Sequence, residues 1–385
     1  MNESALATPP GGWPVPTSAY LHVPFCRHRC GYCNFSVVAG RDELADRFLA
    51  AIDRELATLD SPAIKTLFIG GGTPTHLSPE QLERLLKIVA HRFDLDSNVE
   101  WSVEANPEDI DDEKLDLLAS HGVNRLSLGV QSFNTDKLAM LERGHSGDSA
   151  QETIQRTAQR IANLSIDLIF AAPGETLAVW HDDLQTALSL PIKHLSTYAL
   201  TFEKGTAFWS RQRRGELSGP AEQIEVEMYD LIRQWTTNAG MEQYEVSNFS
   251  QADFRCQHNV AYWLGRGWYA AGPGAASFAG GSRKVNHRSA TTYLRRLEND
   301  QSPIAEQEPI TPMQYARERA AFGIRMMDGI DLDRLSRETG VDLACACGAA
   351  IERSIENGLV EQAGDRLCLT KRGVLFADTV AAVFL

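Results

Sequence analysis

Three cysteines fall within eight residues, C26-R-H-R-C30-G-Y-C33, while the other four are scattered far downstream. Thiols at this density are cross-linked, packed in a core or bound to metal. Packing fits poorly beside Arg27, His28 and Arg29. The first residues, MNESALATPPGGWPVPTS, have neither a basic start nor an apolar core, so a secretory signal is not expected. No apolar stretch approaches the roughly 20 residues that span a bilayer. A cytoplasmic chain with reduced thiols is therefore expected, which leaves metal chemistry for the cluster.

Three thiolates on one loop can hold three irons of a [4Fe–4S] cube, whereas a fully ligated cube takes four cysteines. The fourth iron then stays open, and an amine and carboxylate of the methionine type can chelate it. A zinc site with His22 or His28 as fourth ligand is the alternative. Structural zinc usually joins two ligand pairs, and no second pair lies nearby. A net charge of −14 argues against a nucleic-acid partner, because phosphate neutralisation needs a basic surface.

Six runs with strand character punctuate the first half: 18–23, 66–69, 100–104, 125–129, 165–170 and 194–200. Apolar residues at helical spacing separate them, among them Leu44, Phe48, Ile52 and Leu56, then Leu82, Leu85, Leu86 and Val89. Ser78-Pro79-Glu80 reads as a helix cap with proline in the first turn. This alternation predicts an α/β fold with a parallel sheet, either an incomplete barrel of six units or an open doubly wound sheet. Both place ligands at the carboxyl ends of the strands. From about residue 311 the pattern turns helical and ends in a hairpin, GLVEQAGDRLCLTKRG, which suggests a small winged-helix-like appendage.

The C-x-x-x-C-x-x-C loop after an early strand resembles the radical-SAM superfamily. The surrounding Y20-L-H-V-P-F-C26 narrows the resemblance to its oxygen-independent coproporphyrinogen III oxidase group. That resemblance runs from Tyr20 to the C-terminal appendage. It implies a radical-SAM partial (β/α)6 barrel over residues 17–215, after a flexible tail at 1–16. A barrel extension at 216–308 and a C-terminal, mainly helical appendage at 309–385 complete the expected division.

The resemblance also implies site residues. Cys26, Cys30 and Cys33 would hold the cluster. Gly71, Gly72 and Thr73, in G70-G71-G72-T73-P74, resemble the segment that holds the methionyl amine of S-adenosylmethionine (SAM). SVEANP, GVQSF and DLIFAAPGET supply Glu104 for the ribose hydroxyls, with Gln131 and Asp167 in the same pocket. Arg143 joins them, although LERGHS also reads as a solvated helix end. Tyr20 and Ala199 resemble further SAM contacts.

Two features separate branches of the family. The oxidases carry a cysteine two residues after the third, where this chain has Phe35, and only 19 residues precede Tyr20 where the oxidases have a longer arm. H258-N259-V260-A261-Y262-W263 matches the H-N-x-x-Y-W signature of a haem-chaperone branch. It implies haem binding by His258, Asn259, Tyr262 and Trp263, with Cys256 as an alternative axial ligand. The bottom-up reading of a lone histidine among aromatics is a buried, hydrogen-bonded core residue. The expected partners are haem, a haem-acceptor protein and an electron donor for the cluster, with peripheral membrane association during delivery compatible. The enzyme alternative is oxidative decarboxylation of coproporphyrinogen. Cys345, Cys347 and Cys368 read as packing residues.

Overall fold

The computed structural model describes residues 8–385. The six expected runs form strands β1 (Ser18–Val23), β2 (Ala63–Gly71), β3 (Asp94–Ala105), β4 (Arg125–Gln131), β5 (Asn163–Phe170) and β6 (His194–Ala199). Each is parallel to the next. Helices Ala45–Leu56, Pro79–Arg92, Asp112–Ser120, Gly147–Ala158 and Leu177–Ser189 make the crossovers. The Ser78 side chain caps its helix with Pro79 in the first turn, so the chain turns sharply out of the loop after β2.

The strands alternate. Leu21, Leu67, Ile69, Trp101, Val103, Leu126, Leu128, Leu164 and Ile166 are buried on the helix side and form the main apolar core. Residues of the other parity line up across the sheet as polar rows. Glu104 stands beside Ser127, which stands beside Ser165, and Gly129 beside Asp167 beside Ser196. Buried parallel strands are usually apolar on both faces. Here one face is reserved for a polar barrel interior.

The barrel is not closed by β1 pairing with β6. Beyond β6 the sheet continues through a hairpin, β7 (Glu242–Glu245) and β8 (Asn248–Ser250). Beyond β1 it continues through β9 (Trp268–Ala271), β10 (Ala276–Ala279), β11 (Ser282–Asn286) and β12 (Ile304–Pro309). The full order is β12-β11-β10-β9-β1-β2-β3-β4-β5-β6-β8-β7. Strands β9 to β12 were not expected, because they are short, half polar and, from β9 to β11, joined by glycine turns.

A short helix, Gln257–Trp263, docks at the early ends of β2 and β3. The Glu100 carboxylate accepts both the Gln257 and His258 backbone N–H groups at 3.0 Å, and so caps that helix. Nearby Arg125 donates to Asn163 Oδ1 and to the Phe254 carbonyl. This end of the barrel is thereby plugged, and the opposite end faces the cysteine loop.

Residues 312–382 supply three helices, the hairpin Val360–Ala363 with Arg366–Leu369, and two short helices. Ala316, Ile324, Leu343, Ile351, Leu367 and Phe384 give this region its own apolar cluster. The expected tail lies partly outside the described residues. Within it, Trp13 packs edge-on against Phe278 and Tyr315, with ring centroids 6.1 and 5.4 Å away, so residues around Trp13 do not form a loose tail. A large aromatic among prolines and glycines is what anchors them.

Lys137 holds two loops at the barrel mouth. Its ammonium pairs with Glu175 and, at 3.0 Å, with Asp183, all three side chains being buried. Asp183 also accepts the Phe133 N–H, and Glu175 the Ala172 N–H. Replacing Lys137 by Ala leaves two buried carboxylates without their cation, a change expected to remove about 3–5 kcal/mol of stability. Urea unfolding checks this, and a loss below about 1 kcal/mol would contradict it.

Candidate functional site

Cys26, Cys30 and Cys33 sit on the loop leaving β1. That loop is pinned from four sides. Residues Phe25–Cys26 pair in parallel with Val38–Ala39. Arg27 forms an ion pair with Asp109 at 2.9 Å. The Gly31 N–H donates to the Glu142 carboxylate at 2.7 Å, and Arg288 donates to the Asn34 carbonyl at 2.8 Å. All three thiols line one cavity of about 160 Å³ together with Gly71, Gly72, Thr73, Glu104, Asn106, Gln131, Arg143 and Asp167. Burial pushes the Cys26 thiol up to about 12, opposed by the Thr73 hydroxyl at 3.7 Å. Burial raises the Cys33 thiol as well.

Among the described residues, no three His, Cys, Asp or Glu side chains converge tightly enough to hold a single metal ion. His22 is committed elsewhere, its Nδ1 to the Tyr20 hydroxyl at 3.0 Å and its Nε2 to the Ser36 carbonyl at 2.9 Å. A tetrahedral zinc site takes four donors at about 2.0–2.3 Å, and His22, one of the two expected fourth ligands, is already hydrogen-bonded through both ring nitrogens.

The loop after β2 approaches the cysteine loop closely. The Gly72 and Thr73 N–H groups donate to the Val23 and Phe25 carbonyls. A Cβ on Gly72 would stand 2.6 Å from the Phe25 oxygen, and one on Gly71, whose φ is +104°, 2.2 Å from the His22 ring. Only glycine fits either position.

Glu104 accepts the Gly71 N–H at 2.8 Å. Its burial raises it to about 7. Asp167, also raised by burial, accepts from Ser127 at 3.1 Å. Gln131 takes a left-handed backbone, φ +67°, which turns it into the cavity wall. Arg143 is not a solvated helix end. Its guanidinium donates to Asn106 Oδ1 at 2.6 Å and the Gly129 carbonyl at 2.8 Å, and lies 3.8 Å from Cys30 Sγ. Its Nε is buried without a partner.

Asn106 was missed by sequence reasoning. It donates to Thr73 Oγ1 at 2.8 Å while accepting from Arg143, so one amide orients the groups beside Cys26 and Cys30. The signal was its place in SVEANP, two residues after Glu104. Of the expected SAM contacts, Tyr20 lines a neighbouring cavity instead and Ala199 lines neither.

That neighbouring cavity, about 480 Å³, is walled by Tyr20, Phe35, Phe68, His258, Tyr262 and Trp268, with Asn259 and Arg288 also on its surface. It shares Phe35 and Glu104 with the cysteine cavity. His258 is buried, stacked on Phe68 with centroids 5.2 Å apart. Its Nδ1 meets the Thr66 hydroxyl at 3.1 Å and its Nε2 the Tyr262 hydroxyl at 3.0 Å. Burial drops it to about 3, so the ring is neutral. Trp263 is not with them. It lines a different cavity against the C-terminal region, under the Arg325 guanidinium at 5.1 Å. Cys256 is buried with its Sγ 3.7 Å from the Glu100 carboxylate, away from this cavity. Of the remaining cysteines, Cys347 is buried, Cys368 half-buried and Cys345 exposed, so the last is no packing residue.

Glu104 sets a pH dependence. Its carboxyl is raised from 4.5 to about 7 in the folded chain, so the fold binds its proton more tightly than the unfolded chain does. The associated stability is complete below pH 4.5 and lost as pH rises through 7, up to about 3 kcal/mol. Urea unfolding between pH 5 and 8 is expected to show this decline, and Glu104→Gln to flatten it. Parallel pH profiles for the two proteins would contradict the assignment.

Residues 20–187 match the Radical SAM superfamily, and residues 310–376 match the HemN C-terminal domain. The heme chaperone HemW of Bacillus subtilis is 34% identical over 96% of this chain and 99% of its own length. The heme chaperone HemW of Mycobacterium tuberculosis is 37% identical over 99% of this chain and 97% of its own. In structure the chain is similar to coproporphyrinogen III oxidase (HemN) from Escherichia coli, a radical SAM enzyme. That likeness has a TM-score of 0.85 at 22% identity and covers 96% of this chain and 90% of the other, which shows a shared fold. With its cysteine loop, its partial barrel and these full-length relatives, the chain belongs to the HemW family of radical-SAM proteins.

Proposed function

We propose that this protein is a haem chaperone, carrying a [4Fe–4S] cluster and SAM in the cysteine cavity and haem in the aromatic cavity beside it. The observation that carries this reading is the adjacency of the two cavities across Glu104 and Phe35. The relatives that share its full length bear the name heme chaperone, which supports the same assignment.

The residues present fit the cluster and SAM. Cys26, Cys30 and Cys33 supply three thiolates around a space and leave a fourth iron position for SAM. Gly71, Gly72 and Thr73 form a cradle that a Cβ would fill. Arg143 brings a buried guanidinium with an orphaned Nε, suited to a carboxylate. Glu104, Gln131 and Asp167 offer polar groups for the nucleoside. A cluster with an open iron supplies one electron to a bound sulfonium, and a separate protein must reduce it.

The aromatic cavity suits a flat apolar macrocycle. With the His258 Nδ1–H donated to Thr66, the ring orientation is fixed and Nε2 keeps its lone pair, as a metal-binding imidazole requires. The Tyr262 hydroxyl occupies that lone pair and must leave before iron arrives. Asn259 lies beside them, while Trp263 acts from the other side by packing the helix. Cys256, buried beside Glu100, is the weaker ligand candidate. Phe35 occupies the position where the oxidases carry a cysteine and places a phenyl ring, not a thiol, between the two cavities. Decarboxylation of coproporphyrinogen is therefore the less favoured reading.

We read residues 17–215 as the barrel that holds the cofactors, 216–308 as the extension that presents haem, and 309–385 as a separate appendage. Delivery to an acceptor protein in the cytoplasm completes the proposal. Among the described residues no helix is long and apolar enough to cross a membrane, so any membrane contact during delivery would be peripheral.

An anaerobic haem titration of the cluster-reconstituted protein tests this reading. Saturable binding with a shifted Soret band is expected. It should weaken at least about tenfold in His258→Ala, a loss of about 1.4 kcal/mol or more. Tyr262→Phe removes the competing hydroxyl and should bind at least as tightly as the unmodified protein. Absence of saturable binding by the unmodified protein would overturn the proposal, and an unchanged Soret band in His258→Ala would reassign the ligand.

A further inference from the structure

We propose that Arg288 is the carboxylate anchor of the aromatic cavity, the residue that pairs with a propionate of the bound porphyrin. This rests on the haem reading above and names the group that orients the ring.

Besides the phenols of Tyr20 and Tyr262, the cavity wall carries four ionisable groups: His22, Glu104, His258 and Arg288. His22 and His258 each have both ring nitrogens hydrogen-bonded to uncharged groups, so neither is free to meet a carboxylate. Glu104 sits at the junction with the cysteine cavity and is bound to the Gly71 N–H. Arg288 is thus the fixed positive charge on this wall.

The fold brings Arg288 there from 255 residues beyond Cys33 by close backbone packing. After β11 the His287 carbonyl accepts the Gly274 N–H at 3.0 Å, which lays the 287–288 segment along the turn after β9. That turn presses on β1: a Cβ on Gly272, φ +105°, would stand 2.3 Å from the His22 carbonyl oxygen. The Arg288 side chain then reaches the rim beside Phe35.

Arg288 uses one N–H on the Asn34 carbonyl at 2.8 Å and has no carboxylate partner among the described residues. Of the other arginines nearby, Arg27 pairs with Asp109 and Arg283 with Glu318 and Glu308, while Arg29 lines the cysteine cavity and not this one. A guanidinium presents five N–H donors in a planar fork that matches a carboxylate. An aromatic cleft with one unspent guanidinium at its rim has the complement of an amphipathic ring with an acidic edge. The ring packs on Phe68 and Trp268, and its carboxylate meets Arg288 while staying near solvent.

The test titrates reconstituted protein anaerobically with haem and, separately, with haem whose propionates are methyl esters. Arg288→Ala is expected to weaken haem binding about tenfold and leave the ester affinity unchanged, and Arg288→Lys to restore part of the loss. Arg288 is exposed but also holds the Asn34 carbonyl, so circular dichroism and the iron and sulfide content of the reconstituted variant verify that fold and cysteine loop are kept. An equal loss for haem and ester, or no loss for either, overturns the Arg288 assignment while the haem reading stands. Unmodified protein that binds neither ligand overturns both.

Discussion

The site depends on one close approach of backbone to backbone. At Gly71 and Gly72 the chain leaving β2 lies against the end of β1 and the start of the cysteine loop, donating to Val23 and, through Thr73, to Phe25. Rigid carbonyl oxygens stand where a Cβ on Gly72 would be, and the hydrogen-bonded His22 ring stands where one on Gly71 would be. This contact sets the height of Cys26 above the barrel mouth and brings the Thr73 hydroxyl within reach of its sulfur. The Glu104 carboxylate then fastens the same glycine from β3, and Asn106 fastens Thr73 to Arg143. A chain of short polar contacts therefore joins four successive strand ends around the three thiols.

The electrostatics follow from burial. The barrel interior carries Glu104, Asp167, His194 and His258, and for each the dominant effect is desolvation, which favours the neutral form. The fixed charges left inside are the guanidiniums of Arg143, against the cysteine loop, and Arg125, at the plugged end. Arg143, the buried guanidinium among the polar groups of the cysteine cavity, suits a ligand that carries its own carboxylate. The aromatic cavity repeats the pattern at lower burial, with neutral histidines and Arg288 at the rim.

Much of this was legible in the sequence. The six parallel strands follow from apolar runs separated by helical periodicity, and the glycine and cysteine loops were identified by motif and position. Gln131 and Arg143 line the same cavity as the three cysteines. Three things were not read. Strands β9 to β12 lie in a glycine-rich segment whose short polar runs carry little periodic signal. Asn106 acts only through its neighbours in space, Thr73 and Arg143, which are distant in sequence. The parting of Trp263 from His258 was readable in principle. Tyr262 is four residues on and shares the histidine's helix face, whereas five residues at 3.6 per turn place Trp263 on the far side. Treating the six-residue signature as one contact surface hid that geometry.

The claim on which the rest stands is that the three cysteines hold an iron–sulfur cube with one open iron. Anaerobic reconstitution, with iron, sulfide and zinc quantified and the reduced protein examined by electron paramagnetic resonance with and without SAM, tests it most directly. The prediction is about four iron and four sulfide per chain, with a reduced-cluster signal that SAM perturbs. Zinc in place of iron and sulfide, or a cluster signal indifferent to SAM, would contradict it.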